Sequence, residues 1–227
     1  MRRVDAPEIL DSGDLSQSEV QAVLGVIGSV NRRFGGIATT QKLVEQAAQA
    51  TGMKRLSLLE VAAGLGDVPE TVRDNLAPRG IALEITLLDV ARSHLPSGNH
   101  SVVANALHLP FSNSSFDLVS CNLFAHHLQP EQLREFIREG LRVCRQAVLI
   151  NDLVRHPLHL ALVYASYPLM RNRVAWLDGL TSVRRAYTPA EIRQMIEKTF
   201  PAAAPRVEIF RNYLYRMGIT VWKTPHQ

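Results

Sequence analysis

The run Glu60-Val61-Ala62-Ala63-Gly64-Leu65-Gly66-Asp67 places small residues at alternate positions, Ala62, Gly64 and Gly66, directly after the apolar stretch Leu56 to Val61. Small residues let a backbone approach a ligand with no Cβ in the way, and glycine accepts positive φ. Taken alone, such a loop fits a nucleotide cradle or a plain structural turn. The dinucleotide pattern G-x-G-x-x-G would want its third small residue one place later, where Asp67 stands. Glu60 ends a strand apolar enough to be buried, where an unpaired carboxylate is costly. Loop N–H groups or the cationic amino group of a ligand would satisfy it. Asp89 follows Gly66 by 23 residues at the end of a second apolar run. A carboxylate there can accept both hydroxyls of a ribose.

Two more clusters carry groups able to move a proton or hold an anion. His126 and His127 fall a few residues past the run Phe116 to Cys121. Imidazole titrates near neutral pH, as removal of a proton from a phenol would require. The same pair also fits a structural role, with His127 packed beside the loop and capping the helix that Pro130 introduces. Asp152, Arg155 and His156 follow the run Ala147 to Ile150 and suit either a phenolate or carboxylate ligand or a salt-bridged helix cap. Cys121 and Cys144 have neither CxxC nor metal-type spacing, which argues against a disulfide framework and a zinc site.

These groups need elements to position them. Ser16 and Glu19 form a capping-box pattern ahead of Val20, Val23, Leu24, Ile27 and Val30 at helical spacing, stopped by Gly35-Gly36. A second helix is predicted from about Thr40 to Ala50. Strands are predicted at Leu56–Val61, Ile81–Asp89, Ser101–Ala104, Phe116–Cys121 and Ala147–Ile150, with an amphipathic helix over Glu131–Val143. Beyond Asp152, Leu158 to Met170 reads as an apolar helix, Asp178-Gly179 as a loop, and Thr188-Pro189-Ala190-Glu191 as a helix start. Two last strands, near Arg206–Phe210 and Tyr215–Trp222, are too close for a crossover helix and must form an antiparallel hairpin. The expectation is an α/β, doubly wound, mostly parallel seven-stranded sheet with N-terminal helices and an antiparallel last strand.

Hydrophobic residues at 46% and charged residues at 20% argue against disorder. The net charge of +4 comes from scattered residues with no long basic run, so a nucleic-acid partner is not expected. Met1 to Ser18 lacks the apolar core of a secretory signal, and Pro157 to Met170 is too short to span a bilayer. A cytoplasmic protein without stable membrane insertion, monomer or homodimer, is expected.

The run Leu59 to Asp67 resembles motif I of class I S-adenosylmethionine (SAM)-dependent methyltransferases. Asn105-Ala106-Leu107-His108-Leu109-Pro110-Phe111 resembles their D-A-x-x-L-P-F segment, and Phe116-Asp117 the start of their fourth strand. More narrowly, Asn31-Arg32-Arg33-Phe34-Gly35-Gly36, Asn151-Asp152-Leu153-Val154-Arg155-His156-Pro157 and Ser182 to Tyr187 resemble bacterial small-molecule enzymes related to the ubiquinone/menaquinone C-methyltransferases. Ala62 and Asn105 depart from the usual glycine and aspartate.

The resemblance implies SAM as cofactor. Glu60 would organise the loop under the methionine amino group, with Ala62, Ala63, Gly64 and Gly66 as its backbone. Asp89 and Val90 would hold the ribose, Asn105, Ala106 and Leu107 would edge the adenine, and Asn122 would lie near the sulfonium. Arg32 would reach the methionine carboxylate. His127 or His126 would be the base, and Phe34, Asp152, Arg155 and Tyr164 would meet a small hydrophobic or aromatic acceptor. No metal is expected, because the second strand-end ligand of metal-dependent catechol enzymes would here be Asn122. The chain divides into an N-terminal helical cap (1–52), a SAM-binding core (55–152), substrate-roof helices (153–200) and a terminal hairpin (205–223). A SAM-binding pseudoenzyme is the rival reading. Asn122-Leu123-Phe124-Ala125 is unlike the N/D-P-P-Y/F of base-methylating enzymes, and the loop spacing disfavours NAD.

Overall fold

The computed structural model describes residues 1–96, 100–200 and 204–224. Helix α1 (Gln17–Arg33) opens on the expected capping box. Gly35, at φ 77°, then turns the chain directly into α2 (Gly36–Thr51). The second helix thus begins four residues before the predicted Thr40, because Phe34 and Gly35 make the whole connection. The predicted alternation follows: β1 (Arg55–Val61), α3 (Asp67–Leu76), β2 (Ala82–Asp89), β3 (Ser101–Val103), β4 (Phe116–Asn122), α4 (Pro130–Val143) and β5 (Cys144–Leu153). Four helices come next, α5 (Pro157–Ala165), α6 (Tyr167–Met170), α7 (Arg173–Arg185) and α8 (Pro189–Thr199), then β6 (Val207–Asn212) and β7 (Arg216–Trp222).

Two expectations in this stretch are corrected. The apolar helix over Leu158–Met170 is two helices, parted at Ser166, whose hydroxyl bonds back to the Val163 carbonyl just before Pro168. Asp178-Gly179 lies inside α7 rather than in a loop. The Asn172 side chain caps α7 by accepting from the Ala175 N–H, and Asp178 points inward to accept the Ile9 and Leu10 N–H groups at 2.7 and 3.0 Å.

The strands form one sheet in the order β3-β2-β1-β4-β5-β7-β6, parallel except for the pairs that β7 makes with β5 and β6. Strand order reverses between β1 and β4, so a cleft opens beyond their carboxyl ends. The two-residue period divides the sheet's side chains. Leu56, Leu58, Leu118, Ala147 and Leu149 pack under α2 and α3. Leu59, Val61, Val119, Cys121, Val148 and Ile150 pack with α4 and α8 on the other face. Continued to the strand ends, this alternation puts Glu60, Ser120, Asn122 and Asn151 on one side of the sheet and Asp152 on the other.

Asp178 accepts two of the hydrogen bonds that hold residues 1–16 against α7 as a strap, with Ser182 donating to Glu8, Arg185 to the Ala6 carbonyl and Arg3 to the Arg185 carbonyl among the others. Asp178→Ala should loosen the strap locally, speeding hydrogen exchange of the Ile9 and Leu10 amides by about tenfold or more while core amides keep their protection.

Candidate functional site

The β1–α3 loop takes the shape its small residues allow. Ala62, Gly64 and Gly66 all have positive φ, at 54°, 54° and 78°, and the intervening residues do not. The alternate spacing seen in sequence is therefore an alternation of left-handed backbone. A Cβ on Gly66 would also lie 2.7 Å from Leu87 Cδ1. Asp89 fixes the loop from the next strand, accepting the Gly64 N–H at 3.1 Å and the Ala91 N–H at 3.0 Å. Burial works to raise its carboxyl, but the hydrogen bond with His94 and these amides hold it below the usual range. Glu60 is fully buried and is met by the Ser120 hydroxyl, not by loop amides. Burial pushes its carboxyl up to about 7 against that hydrogen bond.

Above the loop lies a cavity of about 430 Å³. Glu60, Ala62, Ala63, Gly64, Asp89, Val90 and Asn122 line one end, with Leu24, Ile27 and Gly28 of α1 across from them. His126, His127, Val163, Met170, Gly179 and Val183 line the other.

Several predicted residues are elsewhere. Arg32 points outward, 53% exposed, and pairs with Asp67 at 3.7 Å. Phe34, at the end of α1, is 51% exposed and off the cavity. Asn105, Ala106 and Leu107 do not line it either, and the Asn105 carboxamide accepts the Leu107 N–H instead. Arg155 is a buried clamp that binds the Met1 and Ala186 carbonyls and Glu191, away from the cavity. Tyr164 stands on the outer side of α5, where its hydroxyl accepts from Arg184 and its ring meets Trp176. The roof contributes Val163, His159 and Met170 to the cavity. Gly66 and Asp152 are absent from the lining but act one layer behind it.

Asp152 holds His126. Its carboxylate accepts the His126 backbone N–H at 2.9 Å and pairs with the ring Nδ1 at 2.7 Å. His126 is 2% exposed, and burial opposes its charge. The charge and hydrogen bond of Asp152, with Glu8 beyond, overcome burial and push the imidazole up to about 9. That shift favours the charged ring and disfavours His126 as a base near neutral pH. His127 turns its Nδ1 to Asp11 at 2.8 Å and does not cap α4, whose start is closed by Gln132 accepting the Gln129 N–H.

Sequence reasoning missed three of the polar groups on this cavity. Glu8 and Asp11 come from a polar N-terminal stretch with no periodicity or motif to mark it. Arg216, the first residue of β7, is a buried cation whose partners are neutral. It donates to Asn31 at 2.6 Å, Asn122 at 3.3 Å and Asn151 at 3.4 Å. Burial lowers its guanidinium to about 10, with the Asp152 charge opposing. The two asparagines that open the sequence elements around Arg32 and Asp152 are therefore neutral holders of Arg216.

The doubly wound sheet with its antiparallel last strand is the Rossmann-like methyltransferase fold. Residues 59–150 match the family described as a methyltransferase domain, and this match indicates SAM as the methyl donor. Solved structures of this fold include the plantazolicin methyltransferase BpumL in complex with SAH, at 12% identity and a TM-score of 0.64, covering 92% of this chain and 95% of that one. A SAM-dependent methyltransferase from Aquifex aeolicus aligns with a TM-score of 0.51 and 13% identity over 79% of this chain and 89% of its own. Magnesium protoporphyrin IX methyltransferase from Synechocystis PCC 6803, with bound SAH, gives 0.50 and 14% over 82% and 84%. No curated protein sequence matches the chain. No helix among the described residues is long and apolar enough to cross a membrane.

Ala62 carries its left-handed φ with a Cβ, at a cost that glycine avoids. Ala62→Gly should stabilise the fold by about 0.5–1 kcal/mol, read as a rise of about 2 °C in Tm, with cofactor affinity retained.

Proposed function

We propose that the protein transfers the methyl group of SAM to a small hydrophobic or aromatic acceptor. The observation that carries this reading is one continuous cavity running from the Ala62–Gly66 loop to the His126/His127 pair under a largely aliphatic roof. The adenosyl end would sit against Asp89 and Val90, and the methionine ammonium near Glu60. Arg216, in place of Arg32, is the cation that the cavity offers to the methionine carboxylate. Its hydrogen-bond partners are neutral asparagines, which leaves it able to pair with an anionic ligand. Phenols, quinols and polyketide-like hydroxyl compounds are the acceptor class.

Displacement at a sulfonium is in-line, so positioning supplies much of the rate, about 7–11 kcal/mol at best. The protein must also favour the deprotonated acceptor. His126, whose ring Asp152 orients, would stabilise an anionic oxygen, and His127 beside it would accept the proton. An apolar lining keeps water from competing for the methyl group. A SAM-binding protein without turnover would need none of this second end.

Methyl transfer from labelled SAM to a panel of phenols and quinols tests the reading. His127→Ala should lower turnover about 10²–10⁴-fold and leave SAM affinity within about twofold. Unchanged turnover would remove His127 as the base.

Glu60 gives a separate signature. Below about pH 7 the free protein holds a neutral carboxyl there, and a cofactor ammonium needs the carboxylate. Raising the pH from about 6 to 7 should therefore tighten SAM binding up to about tenfold, with release of a proton. Calorimetry in buffers of different protonation enthalpy reads that proton, and Glu60→Gln should abolish both effects.

A further inference from the structure

Glu8 reaches the acceptor end of the cavity from the N-terminal strap and stands between the two histidines. Its carboxylate oxygens lie 3.4 Å from His126 Nε2 and 3.6 Å from His127 Nε2. Ligand atoms of these three residues all fall within 4.8 Å of one another. His126 Nε2 is fully buried, and the Glu8 carboxylate lies at ion-pair distance from it without making a hydrogen bond. A buried ring nitrogen left unpaired beside an acceptor is costly unless another group uses it.

The spacing suits a cation rather than a hydrogen bond. Two ligand atoms of a tetrahedral metal ion, each bound at about 2.0–2.1 Å, stand about 3.3 Å apart. The far side of each ring is arranged to match. His126 Nδ1 meets Asp152 at 2.7 Å and His127 Nδ1 meets Asp11 at 2.8 Å. A carboxylate accepts only, so each ring carries its proton on Nδ1 and presents the Nε2 lone pair to Glu8 once both rings are neutral. Metal-ligating histidines are oriented by such an N–H to carboxylate bond. The Ser182 hydroxyl also donates to Glu8, at 2.8 Å, which fixes its carboxylate.

The geometry assigns a binding site for one divalent transition cation of the zinc class, held by Glu8, His126 and His127. Two imidazoles and one carboxylate favour such an ion over magnesium or calcium, which prefer all-oxygen sites. The local charge agrees. Carboxylates of Glu8, Asp11, Asp152 and Asp178 outnumber the two guanidiniums nearby, Arg185 on the His127 carbonyl at 2.6 Å and Arg3 on the His126 carbonyl at 3.1 Å. All three ligands line the cavity, so the remaining coordination position faces the acceptor. An anionic oxygen would fit there, with the bound cation rather than the His127 ring favouring its deprotonated form, and only that last point rests on the proposed function. The expectation of no metal rested on the cysteine spacing and on the strand-end residues, and neither could include Glu8.

The test is titration of the metal-stripped full-length protein with Zn²⁺ alone. Binding of one equivalent per chain is expected, lost by at least about 100-fold in Glu8→Gln and weakened about 10–100-fold in Asp11→Asn. His100→Ala, an exposed histidine elsewhere, should bind as the parent does. Circular dichroism and S-adenosylhomocysteine affinity establish that the variants are folded. No saturable Zn²⁺ binding, or equal binding in parent and Glu8→Gln, would overturn the assignment. S-adenosylhomocysteine binding without Zn²⁺ binding would sink this site and leave the methyl-transfer reading standing, and the converse result would do the reverse.

Discussion

A carboxylate buried at the end of a parallel strand must find donors within reach, and three strands of this sheet end on one. Glu60 on β1 takes the Ser120 hydroxyl from β4. Asp89 on β2 takes the Gly64 and Ala91 amides and His94. Asp152 on β5 takes His126 by both its ring and its backbone. Each solution fixes a different part of the cavity. The first leaves a carboxyl poised near neutrality, the second sets the loop's path, and the third holds the histidine pair in place. Satisfying buried charge and building the site are here the same act.

The chain's ends complete the enclosure. The strap from residues 1–16 is tied to α7 through Asp178 and contributes Glu8 and Asp11. The opening residue of β7 contributes Arg216, the cavity's buried cation. Helix α1 covers the loop, with Leu24 3.9 Å from the position a Gly64 Cβ would take. By contrast, α5 and α6 expose Leu158, Leu162, Tyr167 and Leu169 and bury no residue fully. With few buried contacts, α5 and α6 are held less firmly than the helices packed on the sheet.

Most of the fold could be read from sequence because its signals are local. Alternating apolar runs, the Ser16 and Thr188 capping boxes and the short link before the last strand each specify one element. The loop was legible too, since alternate small residues report alternate left-handed backbone. What failed depended on distant partners. Asp178-Gly179 suggested a turn, but Asp178 is recruited inward by the Ile9 and Leu10 amides, 168 or more residues away. Arg32 and Arg216 are equally basic on paper, and only the sheet's register decides which one is buried among Asn31, Asn122 and Asn151. Arg155 and Tyr164 stood near the right strand ends, yet Arg155 was claimed by the Met1 and Ala186 carbonyls and Tyr164 by Arg184 on the outer face. Glu8 left no trace in sequence, because nothing in a polar segment says where it will fold back.

The central claim is that the β1–α3 loop and Asp89 receive the adenosyl half of SAM. Calorimetric titration of the purified protein with SAM, S-adenosylhomocysteine and NADH tests it most directly. Micromolar binding of both adenosyl ligands is expected, with none of NADH and loss of binding in Gly64→Val, where a branched side chain meets a left-handed φ. Failure of both adenosyl ligands to bind, or binding that survives Gly64→Val unchanged, would contradict it.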